Sequence, residues 1–377
     1  MAKLTERLNE IGQSIWYDNI ERRLLDDGSL AGMVERGEIR GITSNPSIFN
    51  NAISQSNDYD QEIETLSKQG LSREEVYESL AVKDIQKAAD LFLPLYKETG
   101  GSDGFVSLEV SPDLAHQTEK TIIDAKRLWK MVDRPNLMVK IPATLEGLPA
   151  ISEVIASGIN VNVTLIFSIK RYRAVMDAYL TGLEKRLEEG KSIGTIASVA
   201  SFFISRIDSK VDDRLTETLS KSPPEEKDAI KSLLGKSALA SGKLAYEIYQ
   251  DVFSDTSDRF ADLVRSGAQK QRALWASTST KNPAYPDTMY VEELIGPDTV
   301  NTVPPKTLKA FLDHGKVEIT IDQGLDEAKK VFDDLIGYGI DLDEVTAELE
   351  SEGVKSFAAA YASLLDSLQE RMKEFTS

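Results

Sequence analysis

The chain has 377 residues, 41% hydrophobic and 28% charged, which is a globular composition and not a disordered one. A net charge of −18 leaves no broad basic face for nucleic acid, and the densest basic cluster, Lys170, Arg171 and Arg173, reads as a solvated first helical turn. No window approaches the roughly 18 apolar residues of a membrane helix, the N-terminus lacks the apolar core of a signal peptide, and with no cysteine there is no disulfide or thiolate chemistry, so a cytoplasmic protein is expected.

Short runs rich in β-formers alternate with long segments of helical period. In chain order the predicted strands are Ser14–Asp18, Ile39–Thr43, Phe105–Val110, Leu137–Pro142, Asn160–Ile166, Thr195–Phe203, Ala273–Ser277 and Thr299–Val303. Ser72-Arg-Glu-Glu75 is a capping box that opens a helix running towards Lys97. Leu114–Met131 and Ile169–Glu189 have helical period and end near Asp133 and Gly190. The connection from 46 to 104 has room for at least two helices, and Ser222-Pro-Pro-Glu225 breaks the connection from 206 to 272. The cluster Gly100-Gly101-Ser-Asp-Gly104 precedes a strand instead of following one, so it reads as a turn and not a phosphate cradle. Residues 306–377 read as further helices packed on the body of the protein. The alternation predicts the α/β class. Eight strands favour a closed (β/α)8 TIM barrel, a single domain over 1–377 with additional helices including a C-terminal extension. An open doubly wound sheet is the alternative.

In a barrel strand alternate side chains point inward. That period puts Lys140 on one face with Met138, Glu109 with Ser107 and Ser111, and Thr164 with Asn160 and Asn162. Asp18 ends the first strand, and Ser44 and Asn45 follow the second. The polar groups gather at or near the C-terminal ends of the strands, where barrel enzymes carry out catalysis. Each residue also has a plainer explanation. Lys140 and Glu109 can form a structural ion pair, Asn45 before Pro46 is a turn former, Asn162 and Thr164 can satisfy buried backbone, and Asp18 can cap a helix. Convergence on one face favours chemistry on an amine. A free lysine has a pKa of about 10.4, and burial favours the neutral, nucleophilic form. Carboxylates beside the amine act the other way, so at least one of Asp18 and Glu109 is expected to act through water. Metal chemistry has little support, because the two histidines, His116 and His314, lie far apart and read as surface helix residues. Pyridoxal phosphate has no matching phosphate loop.

Seven blocks in order resemble the transaldolase family in its longer bacterial-type branch: "SIWYDNI", "GITSNPSIF", "VSLEVSPDLA", "LMVKIPAT", "GINVNVTLIFS", "VASFFISRID" and "ALWASTSTKNP", spanning roughly Ile15 to Pro305. The resemblance implies a barrel that needs no cofactor or metal and moves a dihydroxyacetone unit between sugar phosphates in the pentose phosphate pathway. It implies Lys140 as the Schiff-base lysine, Asp18 as general acid/base, Glu109 as helper acid/base, and Thr164 as the residue holding a water with Glu109. It implies Asn45, Asn162 and Ser201 as grips on the dihydroxyacetone hydroxyls, and Arg206 as a phosphate ligand. Shorter transaldolases carry an arginine as second phosphate ligand after the seventh strand. Here that block reads Ser277-Thr-Ser-Thr-Lys281-Asn282, which gives the role to Lys281. A monomer or homodimer without nucleic-acid or membrane partners is expected. A fructose 6-phosphate aldolase is the close alternative, against which Glu109 and Phe203 count. A silent barrel serving as scaffold or sensor is the distant one.

Overall fold

The computed structural model describes residues 2–376; the ends of the predicted span, residues 1 and 377, lie outside the described part. Eight parallel strands close a barrel in sequence order: β1 Gln13–Asp18, β2 Ile42–Thr43, β3 Val106–Glu109, β4 Leu137–Pro142, β5 Val161–Ile166, β6 Ser198–Phe203, β7 Arg272–Ala276 and β8 Thr299–Val303. The ring closes where β1 pairs with β8, from Gln13 opposite Thr299 to Tyr17 opposite Val303. β4 and β5 are buried throughout, as expected for a parallel sheet covered by helices.

Every predicted strand exists, and the differences have local causes. β2 pairs regularly only over Ile42 and Thr43, not from Ile39. Residues 39–41 still hydrogen-bond to β1 and to the approach to β3, but the Trp16 indole packs on Gly41, where a Cβ would sit 2.7 Å from the ring. β6 begins at Ser198 and not at Thr195, because Ile196 closes a turn onto Ile193 and Ala197 N donates to the Asn160 side chain. Asn160 therefore precedes β5 and staples its neighbours, donating to the carbonyls of Pro135 and Leu137. The helix predicted from Leu114 starts at Thr118, after a 3-10 turn over Pro112–Leu114.

The capping box is present: Ser72 and Glu75 bond reciprocally and open the helix Arg73–Glu98. The glycine cluster is a turn. Gly104 has a φ of 81°, and a Cβ there would come within 2.5 Å of Tyr96 N. The 46–104 connection holds three helices, and the helix Ser205–Lys221 ends at the predicted Pro-Pro break. Arg171 is not solvated: it bonds Glu350 of the C-terminal helix at 3.1 Å, while Lys170 and Arg173 are exposed. His116 is exposed in a turn, not on a helix, and His314 is the exposed last residue of the helix Pro305–His314.

The C-terminal helix Leu342–Thr376 crosses the top of the barrel. It packs on the helices Pro46–Ser54, Asp60–Lys68, Arg73–Glu98 and Ser205–Lys221, and on β5. A Cβ at Gly353 would lie 3.0 Å from Leu165 Cδ2, so the small residue allows this close crossing. No helix of the described residues is long and apolar enough to cross a membrane.

Candidate active site

Met138 and Lys140 share the inner face of β4 and point to opposite mouths of the barrel. Met138 lines a cavity at the N-terminal mouth with Arg40, Asp103 and Arg272. Lys140 lines a cavity of about 260 Å³ at the C-terminal mouth. Seven of the nine predicted site residues line that second cavity: Asp18, Asn45, Lys140, Thr164, Ser201, Arg206 and Lys281.

Lys140 is 6% exposed, and its Nζ donates to the Ser44 carbonyl at 2.6 Å. Among the described residues no carboxylate lies within 4.0 Å of that nitrogen, so Lys140 is not an ion-pair partner. Ser44 is itself held by its hydroxyl on the Ser107 carbonyl at 2.7 Å. The lysine thus keeps one fixed hydrogen bond and no neutralising contact.

Two carboxylates stand near it. Burial pushes Asp18 above the usual carboxylate range, against the Thr43 hydrogen bond and the charges of Lys140 and Lys281. Thr43 Oγ1 lies 2.6 Å from both Asp18 Oδ1 and Thr302 Oγ1. Glu109 lies directly across the ladder from Lys140. Burial raises it as well, and Lys140 and then Thr164 temper the rise. Thr164 faces Glu109, yet Glu109 Oε2 and Thr164 Oγ1 are both buried without a direct hydrogen bond of good geometry. Glu109 borders a separate cavity of about 280 Å³, behind the lysine pocket, with Tyr77, Arg127 and Tyr361.

Asn162 is fully buried below the Lys140 cavity and does not line it. It donates to Ser107 Oγ at 3.1 Å and accepts from Ser201 Oγ at 2.7 Å, so it fixes the hydroxyl that does line the cavity. Asn45 has two placements at once. Its Oδ1 caps the helix Pro46–Ser54 by accepting from Ile48 N at 3.0 Å, which leaves the Nδ2 group for a ligand.

Arg206 and Lys281 face the same space. Arg206 makes no hydrogen bond or ion pair among the described residues and stacks over the Phe203 ring at 5.8 Å. Burial pushes its guanidinium below the usual value, and only Glu352 acts in the opposite sense. Lys281 donates to Ser279 Oγ at 2.7 Å. The residue as a whole is exposed at the rim, but desolvation of the ammonium and then the charge of Arg206 lower its pKa. Two cations that repel each other without a bonded carboxylate make this corner suited to an anion.

Backbone strain marks the same mouth. Leu165 and Ser277 hold φ of 59° and 56°, at the end of β5 and just past β7, and the β5–β6 register shifts between Val163 and Ile166. Sequence reading missed Thr43, Thr302 and Phe357 as lining residues. The two threonines were within reach of the period-two pattern, because each follows an apolar or outward neighbour at the end of a strand. Phe357 arrives from the C-terminal helix and carries no local signal.

A closed (β/α)8 barrel with a polar cavity at the C-terminal ends of its strands is the architecture of a barrel enzyme. Residues 15–368 match the family described as transaldolase/fructose-6-phosphate aldolase, well past the Pro305 limit of the sequence resemblance. The chain is 48% identical over 370 residues to a transaldolase of Saccharopolyspora erythraea, covering 98% of each chain. It is 47% identical to one of Trichodesmium erythraeum, covering 98% of this chain and 97% of the relative. It is 46% identical to one of Thermobifida fusca over the whole of both chains. The chain belongs to the transaldolase/fructose-6-phosphate aldolase family, and it is an enzyme of the transferase class.

Proposed function

We propose that this enzyme transfers a dihydroxyacetone unit from sedoheptulose 7-phosphate to glyceraldehyde 3-phosphate, giving erythrose 4-phosphate and fructose 6-phosphate, through a Schiff base on Lys140. The observation that carries the reading is the lone lysine. It is buried, has no ion pair among the described residues, and shares a cavity with a carboxyl group raised by burial and with two cations, Arg206 and Lys281, that have no bonded carboxylate among those residues. The names of the relatives support the transfer reaction. A place in the non-oxidative pentose phosphate pathway follows from that reaction, and a cytoplasmic location belongs to the same proposal.

The neutral Lys140 amine attacks the ketose carbonyl carbon. The hydroxyl of the carbinolamine then leaves as water, with Glu109 as proton donor and Thr164 helping to hold the water. An iminium results. Asp18 takes the proton of the C4 hydroxyl, the C3–C4 bond breaks, and its electron pair moves into the iminium to give an enamine. The aldose phosphate departs, a second aldose phosphate enters, and the steps run in reverse. A raised pKa suits both acids, because each must hold and release a proton during the cycle. Asn45 and Ser201 hold the hydroxyls of the three-carbon unit, with Asn162 acting through Ser201. Arg206 and Lys281 bind the phosphate that donors and acceptors share. Phe203, which lines the cavity, and Glu109 beside Lys140 favour transfer over release of free dihydroxyacetone.

Borohydride trapping tests the reading. The protein is incubated with fructose 6-phosphate and reduced, and its intact mass and peptide map are measured. A three-carbon adduct on Lys140 is expected. No adduct on a folded protein would sink the Schiff base.

A further inference from the structure

Two helices face each other across the barrel mouth with charges spaced one turn apart. Arg206, Lys210 and Arg214 lie four residues apart on the helix Ser205–Lys221. Glu344, Glu348 and Glu352 do the same on the C-terminal helix, running antiparallel. Arg214 bonds Glu348 at 2.7 Å and lies 3.7 Å from Glu344. Lys210 bonds Glu348 at 2.9 Å and also bonds Glu352. The ladder stops one rung short. Arg206, the last cation, has no bonded partner among the described residues, although the Glu352 charge reaches it. Arg206 borders both the Lys140 cavity and an open recess shared with Lys210 and Glu352.

We infer that Lys210 is a positioning residue that holds Glu352 away from Arg206 and so keeps the guanidinium available for the substrate phosphate. The inference rests on Arg206 as a phosphate ligand. An arginine and a carboxylate in reach of each other form a strong forked pair. The Glu352 side chain is 57% exposed and sits on a helix surface, so a change of rotamer costs it little. The ammonium of Lys210, whose side chain is only 22% exposed, is what holds it in place. Without that ammonium, Arg206 is the cation of the recess that has no carboxylate bonded to it among the described residues, since Arg214 is held by Glu348, and the phosphate must then compete with Glu352. A hydrophilic surface contact therefore acts on specificity for phosphorylated substrates and not on the chemical step.

Lys210→Met is expected to raise KM for fructose 6-phosphate by about threefold to fivefold, the range of a partly exposed ion pair. The value of kcat should hold. Inorganic phosphate, used as a competitive inhibitor, should weaken by the same factor, and the difference should shrink as salt is added. Adding Glu352→Gln to Lys210→Met should return both constants to those of the parent, and Lys210→Arg should keep them throughout. A purely structural role for Lys210 predicts no rescue, since the double variant has lost one more ladder group. An unchanged KM in Lys210→Met, or a raised KM that Glu352→Gln does not restore, overturns the inference. Arg206→Gln separates it from its premise. Loss of phosphate inhibition in that variant upholds Arg206 as the ligand whatever Lys210 does, and retained inhibition removes both.

Discussion

The two mouths of the barrel carry similar charged groups and use them in opposite ways. At the N-terminal mouth every charge is tied. Asp103 accepts from Arg40 at 2.7 Å, Arg272 at 3.2 Å, Ser14 at 2.8 Å and the Trp16 indole at 3.2 Å, and Lys270 bonds Asp298 at 2.7 Å. At the C-terminal mouth Lys140, Arg206 and Lys281 have no ion pair among the described residues, and burial raises Asp18 and Glu109. The larger cavity, about 440 Å³, is the tied one, and the smaller, about 260 Å³, holds the lysine. Size is thus a poor guide to chemistry here. Paired groups fix structure, whereas unpaired buried groups cost stability and are left to be completed by a ligand. A substrate phosphate completes Arg206 and Lys281 in this reading, and a carbonyl carbon completes Lys140.

The contrast can be broken at either mouth. Lys140→Met should lower kcat by about 10⁴-fold or more and abolish the borohydride adduct, with thermal unfolding little changed, because it removes only one hydrogen bond to Ser44. A variant that keeps turnover would end the lysine reading. Asp103→Ala should do the reverse. It takes the carboxylate from Arg40 and Arg272, although Arg272 keeps its bonds to Ser14, Ser102 and Thr299, and should cost about 3 kcal/mol in denaturant unfolding, while the folded fraction keeps its kcat and KM. A loss of activity per folded molecule would mean that the N-terminal mouth reaches the chemistry.

Arg206→Gln should raise KM for phosphorylated substrates by about 10-fold to 100-fold, in line with the loss of charge-assisted hydrogen bonds, and change turnover of unphosphorylated ones little. Equal effects on both substrate types would remove the phosphate role. The smallest effect is on stability. Asp18 is raised above its ordinary value of 3.8, so the folded protein holds that proton more tightly than the unfolded chain does. Its contribution favours folding below pH 3.8 and is lost as pH rises through the raised value. Asp18→Asn should therefore unfold at a higher temperature than the parent at pH 7, with the gap narrowing as pH falls towards 3.8. A parent as stable as the variant at pH 7 would mean that its carboxylate is compensated after all.

The sequence by itself determined the eight strands, though not the starts of the second and sixth, and the inward faces of the third, fourth and fifth. Period-two patterning is local, and Lys140, Glu109, Asn162 and Thr164 each sit between apolar neighbours that must face the helices. It also determined the capping box at Ser72 and the turn at Gly104, since both depend on contacts within a few residues. Tertiary structure decided the rest. Nothing near Asn162 tells that Ser107 and Ser201 would occupy both ends of its amide, because its partners lie 55 and 39 residues away. Nothing near Arg171 tells that Glu350 would take it out of solvent. Only the packing of the C-terminal helix over the barrel mouth placed Phe357 in the cavity and Glu352 beside Arg206. A pattern of two or four residues reports which face a side chain takes. What that face meets is set by the closure of the ring and by a helix that begins more than 200 residues after Lys140 in the chain.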